Sequence, residues 1–115
     1  MKKAIALLLA LVMVFALCAC GGGGDSAGGE KVVKIGVFEP ASGDSGAGGK
    51  KEMLGMQYAN QETPTVEIGG ETYKVELVYS DNGSDSAKAV SAASKLVNEK
   101  VSLVLGSYGS GVSIA

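Results

Sequence analysis

The chain is 115 residues long, 46% hydrophobic and 5% aromatic, with twelve Asp plus Glu, ten basic residues that are all Lys, and neither His nor Trp. The lack of His excludes imidazole acid–base chemistry within the chain, and a formal charge of −2 with no basic cluster argues against nucleic acid as a partner. Without Lys2 and Lys3, eight Lys face the twelve acids and the remainder carries about −4.

Lys2 and Lys3 precede an unbroken apolar run from Ala4 to Leu17, followed by Cys18-Ala19-Cys20. The run of 14 residues is short of the roughly 20 that a membrane-spanning helix needs, so residues 1–19 read as a signal peptide. Its end resembles a bacterial lipobox: Leu17 lies three positions before Cys20, small Ala19 stands just before it, and glycines follow. Cys18 departs from the Ala or Ser usual there. The resemblance implies that Cys20 takes a diacylglyceryl group and becomes the first mature residue, anchored to the extracytoplasmic face of the membrane. The other reading is an ordinary secretory signal cut near Ala19. No thiol follows Cys20, so neither a disulfide nor a Cys-based metal site forms within one mature chain.

Residues 20–31 are Gly-rich, polar and without hydrophobic periodicity, which suits a flexible tether. The folded part is expected from Val32. Val32 to Phe38 is a nearly continuous β-branched and apolar run, the pattern of a strand covered on both faces of a parallel sheet. Pro40 to Gly49 is a Gly/Ser-rich loop, and Lys50 to Gln61 reads as a helix whose apolar residues spread around its axis. Gly69-Gly70, flanked by Val66-Glu67-Ile68 and Thr72-Tyr73, predicts a two-residue hairpin whose second arm runs through Val75, Leu77 and Tyr79.

Asp81 to Asp85 is turn chemistry, with Ser84 or Asp85 placed to cap the next helix, which runs to about Glu99. Ala89, Val90, Ala93, Leu96 and Val97 mark its buried face. Val101 to Leu105 reads as another short buried strand, followed by the loop Gly106 to Gly111. Strand, helix, strand, helix, strand implies an α/β fold with parallel pairing and right-handed crossovers, half of a doubly wound domain with a small hairpin insertion. With sheet order 2-1-3, both Gly/Ser loops line a crevice at the carboxyl ends of the first and third strands.

At this point the sequence resembles the type I periplasmic binding proteins that serve branched-chain amino acid ABC transporters. The resemblance spans Lys34 to Ala115 and rests on KIGVFEPASG before a Gly-rich turn and helix, on VELVYSDNGSD leading into KAVSAASKLVNEKVSLVLG, and on SYGSGVSIA. It implies that residues 32–115 are the incomplete N-terminal part of one lobe of a two-lobed fold. In that family the first lobe holds the α-carboxylate and α-ammonium of an amino acid, and a second lobe closes over it. The first serine of the family's Ser-Ser pair matches Ser110, its neighbour is Gly111, and Ser42-Gly43 match the family's Ser/Thr-Gly. The aromatic often found several residues later falls on Gly48, a departure from the family's pattern at a position that bears on its aliphatic side-chain preference. Independently of the family, the Ser110 hydroxyl and nearby amides at a strand's carboxyl end form an anion-receptive site, or Ser110 merely caps a helix. Tyr108 is either a wall of the cleft or part of the core, and Ser42 and Ser45 are ligand contacts or a solvated turn.

The resemblance further implies an amino-acid ligand, a membrane permease and its ATPase as partners, and neither an enzyme nor a cofactor. A nucleotide-binding enzyme fails on its motifs, because a P-loop over Gly49-Lys50 needs Gly at Asp44 and Ser or Thr at Lys51. A serine hydrolase built on Ser110 lacks the flanking glycines, which are Tyr108 and Val112, and has no His base. A lipid-anchored sensor of the same fold, not engaged in transport, stays open.

Overall fold

The computed structural model describes residues 29–115. The expected signal peptide of residues 1–19, Cys20 and most of the expected tether lie outside the described residues. The elements in chain order are β1 (Val32–Phe38), α1 (Gly46–Glu62), β2 (Thr65–Ile68), β3 (Glu71–Tyr79), α2 (Ser86–Asn98), β4 (Leu103–Gly106) and α3 (Ser110–Ile114).

The four strands form one sheet in the order β2-β3-β1-β4. β1 pairs in parallel with β3, bringing Val37 beside Tyr79, and with β4, bringing Phe38 beside Gly106. The three parallel strands therefore run second, first, third, the order under which both Gly/Ser loops reach one crevice, and their carboxyl ends are level. β2 pairs antiparallel with β3 through a turn in which Gly69 and Gly70 both take positive φ, +60° and +81°, the two-residue hairpin expected from Gly-Gly.

Alternation along β1 separates the two faces of the sheet. Gly36 and Phe38 look toward α2: a Cβ on Gly36 would lie 3.0 Å from the Leu96 side chain, and Phe38 packs with Ala89, Ala92, Leu96 and Val112. Ile35 looks to the other face, where it shares a groove with Met56 and Ala59 of α1 and with Val75, Leu77 and Leu105. The two helices thus cover opposite faces, which right-handed crossovers running in opposite directions across the sheet, β1 to β3 and β3 to β4, require.

Three expectations need correction. Helix α1 begins at Gly46, four residues before the expected Lys50. Its first turn is formed by glycine amides bonded to Ser45 O and by Gly46 N bonded to Gly43 O, and anchoring of the preceding loop from outside overrides their low helix propensity. In α2 the buried residues are Ala89, Ala92 and Leu96, while Val90 is 53% and Val97 74% exposed. The apolar arc of α2 is wider than the sheet covers. Its second stripe, Val90, Ala93 and Val97, lines a groove of about 610 Å³ with Gly106, Val112 and Ala115. Finally, β4 starts at Leu103 rather than Val101 and is exposed along its length, because it stands at the sheet's edge with no strand beyond it among the described residues. No described helix is long and apolar enough to cross a membrane.

Candidate functional site

The loops after β1, β3 and β4 meet at the carboxyl edge of the sheet, and the turn between β3 and α2 holds them in place. Asp81 Oδ1 accepts from the amides of Ala41 (2.8 Å), Ser42 (3.2 Å) and Gly83 (2.8 Å), and its Oδ2 accepts from Ser42 Oγ at 2.6 Å. Lys88 Nζ donates to Ser42 Oγ at 3.3 Å and lies 3.6 Å from Asp81 Oδ2. Burial alone would raise the Asp81 pKa, but the Ser42 hydroxyl and the amides of Gly83, Ala41 and Ser42 hold it well below the usual carboxylate range. The Ser42 hydroxyl is thus engaged with Asp81 and Lys88.

Asn82, fully buried, ties the central strand to the edge strand. Its Nδ2 donates to Phe38 O and to Ser107 O, both at 3.2 Å, and its Oδ1 accepts from Ser84 N at 3.0 Å. Ser84 Oγ in turn accepts from Ser45 N at 3.0 Å, which fixes the start of α1. Gly43, at φ +76°, is required by this closeness: a Cβ there would stand 2.0 Å from Gly83 O. Asp85 rather than Ser84 caps α2, accepting from Lys88 N at 2.8 Å.

These contacts leave a cavity of about 130 Å³ whose lining includes Pro40, Ser45, Ser84, Ser107, Tyr108 and Gly111. Tyr108, at φ +65°, turns its ring across the crevice onto α1, where a Cβ on Gly48 would lie 2.3 Å from the phenol oxygen. The position without a side chain on α1 is therefore filled by an aromatic from the opposite loop. Tyr108 is half exposed and forms a wall rather than core.

Ser110 is exposed at the first position of the five-residue α3. Its hydroxyl has no hydrogen-bond partner among the described residues, and the N-cap of α3 is Gly109, so Ser110 does not cap the helix. Ser107 and Ser113 do the local work: Ser107 Oγ donates to Gly109 O at 2.9 Å and is paired with Ser113 Oγ. Gly111 contributes to the cavity wall next to Ser110. The crevice therefore brings together Tyr108 and Gly111 with Pro40 and Ser45 of the first loop, while Ser42, Gly43 and Ser110 are not among its lining residues. It also uses Asp81, Asn82, Ser84 and Ser107, which the sequence suggests only as turn or loop residues.

Residues 32–115 match the profile of a family described as periplasmic binding protein. The chain belongs to this family. A Leu/Ile/Val-binding protein homolog 2 from Brucella abortus (strain 2308) is 33% identical over 82 residues, 71% of this chain and 22% of that protein. A leucine binding protein, LivK, from Thermotoga maritima MSB8 matches with a TM-score of 0.65 and 38% identity, covering 72% of this chain and 23% of its own. The branched-chain amino acid transporter substrate binding protein LivJ from Streptococcus pneumoniae, solved in complex with isoleucine, matches with a TM-score of 0.61 and 34% identity over 72% of this chain and 24% of its own. A solute binding protein of an ABC transporter from R. palustris, solved with benzoate, matches with a TM-score of 0.62 and 28% identity over 73% of this chain and 23% of its own. The chain spans about a fifth of the length of the curated relatives it matches.

Proposed function

We propose that the chain supplies the N-terminal part of one lobe of an extracytoplasmic solute-binding protein, which captures an amino acid of branched-chain type for a permease and its ATPase. Membership of the periplasmic binding protein family supports this, as does the similarity to leucine- and branched-chain amino acid binding proteins. The observation that carries the reading is the crevice at the carboxyl ends of β1 and β4, with Gly109 and Gly111 in its wall and the exposed Ser110 between them in the chain. Isoleucine and benzoate, the molecules named with two of the matched structures, share one feature, a carboxylate.

In this reading Ser110 and the Gly111 amide receive the ligand's carboxylate. Tyr108 forms the wall beside its side chain. Ser42 and Gly43 set the shape of the facing loop, the Ser42 hydroxyl being held by Asp81. Capture is by closure of a second lobe, and no bond is made or broken. The free edge of β4 and the groove beside Val90 and Val97 are surfaces that further strands and helices of a complete lobe cover. Attachment through lipidated Cys20 and the tether of residues 20–31 holds the protein at the membrane. A sensor of the same fold would use the same crevice, and permease and ATPase genes beside this one would favour transport.

The test is a chimaera in which residues 32–115 replace the matching segment of the Thermotoga leucine binding protein. Calorimetry against leucine, isoleucine, benzoate and leucinamide should show binding of carboxylates and none of the amide. A chimaera that folds by circular dichroism yet binds leucinamide as well as leucine contradicts the carboxylate site. For the anchor, labelled fatty acid should enter the wild-type chain and Cys18→Ala but not Cys20→Ala.

A further inference from the structure

Glu39 follows β1 and precedes the first loop of the crevice. It is 1% exposed, and neither of its carboxyl oxygens has a hydrogen-bond donor among the described residues. Alternation carries its side chain to the face of Ile35, toward α1, whose Gly49 packs against Pro40 so closely that a Cβ there would stand 2.2 Å from Pro40 O; Glu52, exposed and one turn further along the same side of α1, lines the groove with Ile35 and Leu105. On the other side a Cβ on Gly106 would stand 3.2 Å from Glu39 Oε1, so the carboxyl is walled in by the segment that leads into the second loop.

Two carboxylates have no proton to give each other. Ionised, they are a repelling pair, and the sealed member has nothing to replace its lost hydration. One added proton turns the contact into an O–H···O bond and removes one charge. No other charged group relieves Glu39. On α1, Lys50 and Lys51 are exposed; in the β3–α2 turn, Asp81 is held by three amides and Ser42; on β1, Lys34 pairs with Glu99; and residues 103–115 carry no charge.

We propose that Glu39 and Glu52 bind one exchangeable proton between them, and that losing it loosens both loops of the crevice. Ionised Glu39 reaches water only if the Pro40–Ser45 loop or the Gly106–Ser107 segment moves away. Burial first, and then the charge and hydrogen bond of Glu52, push the Glu39 carboxyl up to about 7. Because the folded state holds this proton more tightly than the unfolded chain, its stabilising effect is complete below about 4.5 and is lost as pH rises through about 7. The effect on ligand capture rests on the function proposed above, but the proton pair does not.

The test uses no ligand, so its failure is separate from failure of the binding reading. The full chain, labelled with carboxyl-13C Glu and held in detergent micelles, is titrated by NMR from pH 4 to 9. One Glu signal should titrate near neutrality, be missing in Glu39→Gln, and move to lower pH in Glu52→Gln. The amides of Ala41, Ser42 and Ser107 should shift with the same midpoint. A chain in which every Glu titrates between pH 4 and 5 overturns the pair, as does a near-neutral signal unmoved by Glu52→Gln, which serves even if Glu39→Gln does not fold. Loop amides that ignore the Glu39 titration overturn the coupling.

Discussion

Removing the Asp81 carboxylate should open the crevice from its base. Asp81→Ala takes the acceptor away from three amides and one hydroxyl. A hydrogen bond to a charged group contributes about 1.5–3 kcal/mol, and a buried donor left alone costs about 1–3 kcal/mol. The Ser42 amide and hydroxyl are exposed and find water, whereas the amides of Ala41 and Gly83 are partly buried and do so only in part. The Lys88 ion pair at 3.6 Å, on the surface, adds little. The expected loss is about 2–3 kcal/mol, a large share of the about 5–15 kcal/mol typical of a whole domain. Urea unfolding at pH 7, followed by circular dichroism, reads it directly. Asp81→Asn, which keeps one oxygen but turns an N–H₂ toward Ser42, should fall between the two. The pH dependence has a definite sign. The folded pKa lies below the ordinary aspartate value of 3.8, so the contribution is complete above that value and disappears as pH falls through the folded one. Wild type and Asp81→Ala should therefore differ most near neutrality and converge in strong acid. A difference below about 0.5 kcal/mol at pH 7 would refute the clamp, since surface changes without such a role fall within that range.

Asn82→Ala should cost about 2–4 kcal/mol, because it leaves the carbonyls of Phe38 and Ser107 without their buried donor, and urea midpoints should fall accordingly. Gly48→Ala should displace the Tyr108 ring, whose oxygen would lie 2.3 Å from the new Cβ. Since the ring is half exposed, stability should change by less than about 1 kcal/mol while the Tyr108 ring resonances move toward solvent values. A Tyr108 spectrum unchanged in that variant would count against the ring's placement across the crevice.

Much of the fold is legible in the sequence, because its signals are local. The β-branched run at Val32, the Gly69-Gly70 turn and the capped helix after Asp85 each lie within a few neighbouring residues, and right-handed crossovers then limit the strand order to very few choices. The site is less so. Asp81 and Asn82 look like turn residues, and their partners Ala41, Ser42 and Phe38 stand about 40 residues away, beyond any periodicity. Glu39 offers no sign of burial, since a single acid between Phe38 and Pro40 fits a loop as well as a sealed pocket. The shift in the buried face of α2 has the same origin: its arc from Ala89 to Val97 is correctly apolar, but only the tertiary arrangement shows which half meets the sheet and which lines the groove. Ser42 and Ser110 look alike in sequence, both being loop serines after a strand. The Asp81 carboxylate separates them by engaging the first hydroxyl and leaving the second unengaged.

That difference makes Ser110 the residue on which the account turns. In the chimaera carrying residues 32–115, calorimetric titration with isoleucine should show Ser110→Ala weaker than wild type by roughly tenfold to over a hundredfold, the loss of one charge-assisted hydrogen bond of about 1.5–3 kcal/mol, with melting temperature nearly unchanged. Affinity equal to wild type, in a variant that folds as well, would contradict the assignment of Ser110 to the ligand's carboxylate.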